Sequence, residues 1–316
     1  MKLYRGAPGW AEQMVANAEP SVTIRSGVSR DLRPVPYWRE LIKLKMRSMA
    51  HREHTARWLK LLNSHPAFSD YVRNYPRFLY KIYRPYLTNT LSMDDRLGVL
   101  ASHYQFVFEQ GLGAVIGQAS HMAVPLAHVT GKGGTPYTVS LRAIGPLERE
   151  GELVLQLSSA GVLMYSVAFT FAWRGEGHAV SIGCIQGGKD EGTMDAIRAA
   201  TRELHGMRPK QLLITLVRQL GHEYGCREML LVSNMNRVVR GAMRQGRVLA
   251  DYDQVWAEMG AERRADGDFA LPCVALAAPD MEAIPSRKRS EARKRYEMMA
   301  SVAAAASARL AERSGC

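Results

Sequence analysis

His205-Gly206-Met207-Arg208-Pro209-Lys210 is the stretch with the clearest chemistry, because it sets a glycine and two cations directly before a helical pattern. That pattern, Pro209 to Tyr224, carries Leu212, Leu213, Leu216, Val217 and Leu220 on one face. A helix opening here points free backbone N–H groups and the positive end of its dipole at the turn. Arg208 and Lys210 add full charges, so the segment can cradle a phosphate or pyrophosphate. A plainer reading accounts for the same residues: proline starts a helix and the basic pair is solvated. The turn is not a P-loop.

Other residue types with chemical potential are scattered. Pro285 to Glu297 gathers Arg287, Lys288, Arg289, Arg293, Lys294 and Arg295 around Tyr296. This is either a clamp for a carrier protein, a lipid surface or nucleic acid, or a solvated terminal helix. His51, Glu53 and His54 lack the HExxH order and read as a charged helix face. Cys184, Cys226, Cys273 and Cys316 lie far apart with no CxxC pair, so no disulfide framework, zinc ribbon or other metal site is expected.

The elements that must position these residues follow from periodicity. Trp38, Leu41, Ile42, Lys45, Met46 and Met49 predict a helix within Tyr37 to Asn63, after Pro34 and Pro36. Ser92-Met93-Asp94-Asp95 predicts a capped helix through Leu97, Leu100, Tyr104 and Val107. Glycines between 111 and 137 loosen the chain, and we place a boundary there. Beyond it, Tyr137–Ile144, Glu152–Ser159, Leu163–Trp173 and His178–Gln186 predict four strands whose short links favour antiparallel neighbours. Helices at Thr193–His205 and Pro209–Tyr224, a strand at Arg227–Ser233, a short helix at Asp251–Met259 and a last helix from Pro285 complete the chain. The expected fold is α+β: a helical N-terminal region (1–134), a mixed, mainly antiparallel sheet domain with flanking helices (135–284), and a basic C-terminal helix and tail (285–316).

Composition is that of a folded globular protein: 316 residues, 47% hydrophobic and 23% charged. Collagen-like, low-complexity and mucin-like classes are excluded. The net charge of +12 belongs to the ends, with 17 Lys and Arg against 8 Asp and Glu in residues 1–100, and 8 against 3 in 285–316. Such ends attract phosphate-bearing or acidic partners. No aromatic-plus-basic constellation for RNA readout occurs, and sequence-specific DNA binding is not expected. The opening Met1-Lys2-Leu3-Tyr4-Arg5-Gly6-Ala7-Pro8 lacks the apolar core of a signal peptide, which predicts a cytoplasmic protein, peripheral at the inner membrane if the basic ends find anionic lipid.

Ile182-Gly183-Cys184-Ile185-Gln186-Gly187, Leu204-His205-Gly206-Met207-Arg208-Pro209-Lys210, Leu231-Val232-Ser233-Asn234 and Tyr252-Asp253-x-x-Trp256 resemble the bacterial VirK/YbjX family. Phe269-Ala270-Leu271-Pro272, Pro285-Ser286-Arg287-Lys288-Arg289, Arg84-Pro85-Tyr86 and His103-Tyr104 extend the resemblance. Members are linked to virulence and envelope remodelling. The order of antiparallel strands, basic Gly-containing turn, helix, and strand ending in Asn is also similar to GNAT-type acyltransferases. That second resemblance implies that Gly206, Met207, Arg208 and Lys210 hold the phosphates of acyl-CoA or of an acyl carrier's phosphopantetheine, as co-substrate rather than tightly bound cofactor. It gives Asn234 the pantetheine arm, Gln186 the donor or acceptor backbone, His205 the role of base or phosphate ligand, and Tyr252 the acid for a leaving thiolate. His103 is a further catalytic candidate. Each has a structural alternative: Gln186 a loop amide, His205 a helix cap, Asn234 a turn former, Tyr252 a packing partner of Trp256, His103 a satisfied core histidine. Donors compatible with the basic ends are acyl-CoA, an acidic acyl carrier protein or an aminoacyl-tRNA. A non-catalytic protein docking a partner or anionic membrane is the alternative function.

Overall fold

The structure, a computed structural model, describes residues 21–175, 177–188, 190–239 and 250–312. Cys316 lies outside them. Helices α1 (Pro34–Ala50), α2 (Arg52–Leu62) and α3 (Ala67–Asn74), a 3-10 segment (Pro76–Tyr83), α4 (Met93–Glu109) and α5 (Gly113–His121) precede an eight-stranded sheet. The strands are β1 (Val124–Thr130), β2 (Pro136–Ala143), β3 (Leu153–Ser159), β4 (Val162–Arg174), β5 (Gly177–Gly187), β6 (Glu228–Leu231), β7 (Glu262–Arg263) and β8 (Phe269–Pro272). Helices α6 (Glu191–Glu203) and α7 (Pro209–Glu223) join β5 to β6, α8 (Tyr252–Glu258) lies between β6 and β7, and α9 (Ser286–Glu312) ends the described chain.

The sheet order is β1-β2-β3-β4-β5-β6-β8-β7, and β5–β6 is the parallel pair among antiparallel neighbours. The mixed, mainly antiparallel α+β fold expected from the sequence is therefore the fold observed. Two expectations need correction. The single helix over 37–63 is two helices that break at His51, whose φ −129°, ψ 51° is not helical. The stretch at 111–137 is not loose: it contains α5 and β1, so the sheet begins at Val124. Its glycines serve as a turn at Gly111 and a hairpin at Gly134, both with positive φ. The Ser92 cap holds as expected, with Ser92 and Asp95 forming a reciprocal capping box.

The helical region and the sheet share one continuous apolar core. A polar network crosses between them. Lys81 Nζ donates to Glu152 Oε1 at 2.5 Å, and Tyr104 Oη donates to Glu152 Oε2 at 2.5 Å. Both ion-pair side chains are essentially solvent-free. Burial pushes the Glu152 carboxyl up, but Lys81 and the surrounding donors overcome it and hold the group below its usual value.

His103 belongs to the same contact. β3 pairs with β4 no further than Phe169, so the outer edge of β4 beyond it needs other acceptors. His103 Nδ1 accepts from Phe171 N at 3.3 Å, and Ser102 Oγ accepts from Trp173 N. A fully buried edge cap replaces the catalytic role considered for His103. Burial, opposed by Glu152 and reinforced by Lys81, pushes the imidazole down to about 4 from 6.5. Because the folded pKa is depressed, its contribution is present above 6.5 and is lost as pH falls toward 4. Urea unfolding across that window is expected to show about 3 kcal/mol lost from this group. The decline should flatten in His103→Gln; an equally steep decline there would assign the acid sensitivity elsewhere.

Candidate active site

β5 and β6 pair from Ala179↔Glu228 to Ile182↔Leu231 and then part. Val232 N still reaches Ile182 O at 3.1 Å, while β5 continues to Gly187 without β6 beside it. A parallel pair that opens in this way leaves backbone donors and acceptors on β5 unmatched. The chain fills the opening itself. Tyr252 Oη donates to Ile185 O and accepts from Ile185 N, both at 2.8 Å, with Cys184 Sγ at 3.3 Å. Trp256 Nε1 donates to Val232 O at 2.9 Å. The Tyr252 and Trp256 rings pack edge to face, and both side chains are fully buried. The Arg237 guanidinium lies 3.7 Å from the centre of the Tyr252 ring.

Asn234 fixes the helix that carries this wedge. Its Oδ1 accepts from Tyr252 N at 2.9 Å, its Nδ2 donates to Asp251 Oδ1 at 2.7 Å, and Asp253 Oδ1 accepts from its backbone N–H. Asp251 itself caps α8 through Gln254 N. Asn234 and Tyr252 are thus positioning residues at the divergence, with their polar atoms committed to it. Burial, strengthened by the neighbouring Cys184, raises the Tyr252 hydroxyl well above its usual value, so it stays protonated. Burial and Glu150 push the Cys184 thiol up to about 11, which leaves it without thiolate character near neutrality. Tyr252→Phe is expected to destabilise the protein by about 1–3 kcal/mol, since Ile185 loses the partner of two buried backbone groups. Urea unfolding checks this; an unchanged midpoint would show that the hydroxyl is dispensable to the strand.

The basic turn lies at the neighbouring end of the same elements. His205 and Gly206 are both left-handed, with φ +52° and +74°. Glycine adopts this freely; for His205 it is a strained conformation. Gly206 N bonds Thr201 O at 2.9 Å, ending α6, and Arg208 then caps α7. The backbone cradle is smaller than the sequence suggests. Pro209 has no N–H, and the Gln211 and Leu212 N–H groups both bond Arg208 O. Side chains must supply most of the anion binding.

They are arranged for it. Arg208, Pro209 and Lys210 line a cleft of about 300 Å³ with Tyr165 of β4 and Ile197, Arg198 and Thr201 of α6. Gly187, at the end of β5, lies under the Tyr165 ring; a Cβ there would stand 2.7 Å from a ring carbon, so only glycine permits the approach. Gln186 is exposed beside it, paired in register with Ser166. Arg208 also meets Glu258 of α8 at 3.3 Å. Burial lowers the Lys210 ammonium, against the pull of Glu258 and with the help of Arg208.

A third group of cations converges from distant sequence. The hairpin at 131–134 docks on the end of α6, where Gly133 N donates to Glu203 Oε2 at 2.6 Å. This brings Lys132 to Glu291 of α9, at 3.2 Å. A Cβ on Gly206 would come within 3.6 Å of Glu291 and 3.8 Å of Arg295. His205 is lowered by partial burial first, then by Lys132 and Lys294, with Glu291 opposing. It is therefore neutral at pH 7.

The structure thus brings together His205, Gly206, Arg208 and Lys210 around α6, α7 and the end of β5; Gln186, paired with Ser166 one residue on from the Tyr165–Gly187 pair, is exposed on the opposite face of the sheet. Met207 is partly buried against the core, so its side chain supports the turn rather than facing the cleft. His103 lies apart, on the face of α4 that meets β4. Sequence reasoning missed Tyr165, Arg198, Thr201, Lys132 and Glu258. The cationic run at 287–295 was visible, but its juxtaposition with the turn was not. Among the described residues, no group of three or more His, Cys, Asp or Glu side chains could hold a metal ion.

A family model described as "Protein of unknown function (DUF535)" matches residues 35–308, and the chain belongs to that family. It is 27% identical over 275 residues to "Uncharacterized protein YbjX" of Escherichia coli, covering 84% of this chain and 83% of that protein. It is 24% identical over 263 residues to an "Uncharacterized protein" of Haemophilus influenzae, covering 83% and 85%. The VirK/YbjX resemblance drawn from the motifs is borne out. Among solved structures, a "cAMP-binding acyltransferase" from Mycobacterium smegmatis aligns with 68% of this chain and 62% of its own, at 12% identity and a TM-score of 0.26. A score that low carries no argument.

Proposed function

We propose that this DUF535 protein transfers an acyl or aminoacyl group from a phosphate-bearing donor to an amine or hydroxyl acceptor. The observation that carries the proposal is the divergence of the parallel pair β5–β6 beside a helix whose basic turn opens onto a cleft. The last residues of β5 beyond Ile185, whose backbone groups Tyr252 takes up, can align an extended donor, and the cations at the helix start can hold its phosphates. Arg208, Lys210 and Arg198 are the phosphate contacts, reinforced by Lys132, Lys294 and Arg295 on the far side of Gly206.

Neutral His205 is the group able to accept the acceptor's proton; Gln186 faces the other side of the sheet and takes no part in this reading. The acceptor nitrogen or oxygen attacks the donor carbonyl as His205 takes its proton, the bond to the donor's sulfur or ester oxygen breaks, the leaving thiolate or alkoxide receives that proton back from His205, and the new amide or ester forms. Transfer is direct, because the Cys184 thiol is buried and protonated. Tyr252 directs its hydrogen at Ile185 O and acts by holding the strand.

The test screens purified protein against acyl-CoAs, acyl carrier proteins and aminoacyl-tRNAs by thermal shift and intact mass. Stabilisation by one donor class, with a mass change in an added amine acceptor, is expected. Silence with all three classes, in protein that melts cooperatively, would remove the acyl-transfer reading.

A further inference from the structure

Helix α1 has two apolar faces, and the core covers one of them. Leu41 and Leu44 are buried in a small cluster with Val28 and Tyr80. Val35, Trp38, Ile42, Met46 and Met49 are between 54% and 79% exposed among the described residues. At about 100° per residue, these five fall within an arc of roughly 80° on the side away from the core. With Leu32 just before the helix, they make up half of the twelve large hydrophobic side chains exposed among the described residues. Isolated exposed hydrophobics are ordinary; a continuous stripe marks a binding surface.

Charge identifies the occupant. Lys45 borders the stripe on one side, and Arg39 and Lys43 border it on the other, with Arg47 beyond them; all four are exposed. Glu40 is the one acidic residue of the helix and is paired with Arg39 at 3.5 Å and Lys43 at 3.1 Å. Cations along both borders of an apolar strip, with a tryptophan in it, suit a surface that is apolar below and anionic at its rim. No described helix is long and apolar enough to cross a membrane. We propose that α1 lies in the plane of an anionic phospholipid surface, with Val35, Trp38, Ile42, Met46 and Met49 inserted among the acyl chains and Arg39, Lys43, Lys45 and Arg47 on the headgroup phosphates. This surface is separate from the cleft at the basic turn and does not depend on any activity there.

The test uses the full chain with vesicles of phosphatidylglycerol mixed with phosphatidylcholine, and of phosphatidylcholine alone, by co-sedimentation at low and high salt. The wild type is expected to bind the anionic vesicles, at least tenfold more weakly at high salt or without phosphatidylglycerol. Trp38→Ser/Ile42→Ser/Met46→Ser and Arg39→Gln/Lys43→Gln/Lys45→Gln should each lose at least tenfold in binding while keeping the wild-type melting temperature, since all six side chains are exposed. Emission should shift to the blue on adding vesicles in the wild type and not in Trp38→Phe. Absence of binding to anionic vesicles, or equal binding by either triple variant, would overturn the proposal. So would protection of Trp38 from acrylamide before vesicles are added: with a concentration-dependent increase in size it would assign the stripe to a second copy, and without one to residues 1–20 of this chain.

Discussion

Lys81→Met is expected to destabilise the protein by about 3–5 kcal/mol, the usual cost of removing one partner from a buried ion pair. The ammonium lies 2.5 Å from Glu152 Oε1, and the rings of Phe78 and Tyr86 lie within 5.4 Å of it. Methionine fills much of the same volume but leaves the Glu152 carboxylate in an apolar site with Tyr104 as its one remaining side-chain donor. Glu152 would then take up a proton as its pKa rises, so the variant should lose stability most steeply above pH 5. In the wild type the sign is opposite: the lowered Glu152 value gives stability that is present above about 4.3 and is lost as pH falls through the folded value. Urea unfolding measures both. Lys81→Met/Glu152→Gln should recover part of the loss, because no buried charge is left unpaired. Should the single variant prove too unstable to purify, Tyr104→Phe tests the same network by removing one hydrogen bond to a carboxylate, at about 1.5–3 kcal/mol. Wild-type stability in both would show that the network does not hold the helical region to the sheet.

Arg208→Ala/Lys210→Ala is expected to weaken binding of the stabilising donor by about a hundredfold. Two charge-assisted contacts to phosphate contribute roughly 3 kcal/mol together at the lower end of their range, which suits partly exposed side chains. The pairing of Arg208 with Glu258 gives the experiment a second sign. Glu258 competes with the donor for Arg208 and adds negative potential beside Lys210. Glu258→Gln should therefore tighten the donor several-fold, and least where Arg208 is already absent. Titration calorimetry of the wild type, the double alanine variant, Glu258→Gln and the combination of all three substitutions with the donor measures these changes. Unchanged affinity in the double alanine variant would place the phosphates elsewhere, and tightening without Glu258 in that same background would show that the carboxylate acts independently of Arg208.

Several elements were legible because one local rule dominates each. The four strands from Pro136 to Gly187 are rich in Val, Leu, Tyr and Phe between glycine-containing turns, and the structure places them within a residue or two of the expected ends. Helices α4 and α7 announce themselves by Ser92 and by Pro209. Strand β8 is four residues long and β7 two, too short for any periodicity to register; β8 exists because β6 offers an edge, and β7 because β8 then offers the next. Helix α3 follows His65-Pro66 in a stretch that sequence reading treats as punctuation.

The candidate site divides along the same line. Arg208, Lys210 and the turn around Gly206 are consecutive, so spacing alone identified them. The apolar pattern of α1 was equally plain, yet periodicity cannot say which of two apolar faces meets the core; packing buries Leu41 and Leu44 and leaves Trp38 and Ile42 outside. His103 and Tyr252 have the right chemistry for catalysis, and tertiary structure commits both to backbone groups that a strand edge left unpaired. Sequence determined the strands, the helix starts and the charge of the turn, because these depend on neighbours within a few residues. Only the folded chain decided that Lys132, Tyr165, Glu258 and Arg295 surround that turn, because contacts between residues up to 159 positions apart, as for Lys132 and Glu291, are set by how the sheet and its helices pack, and no local pattern encodes them.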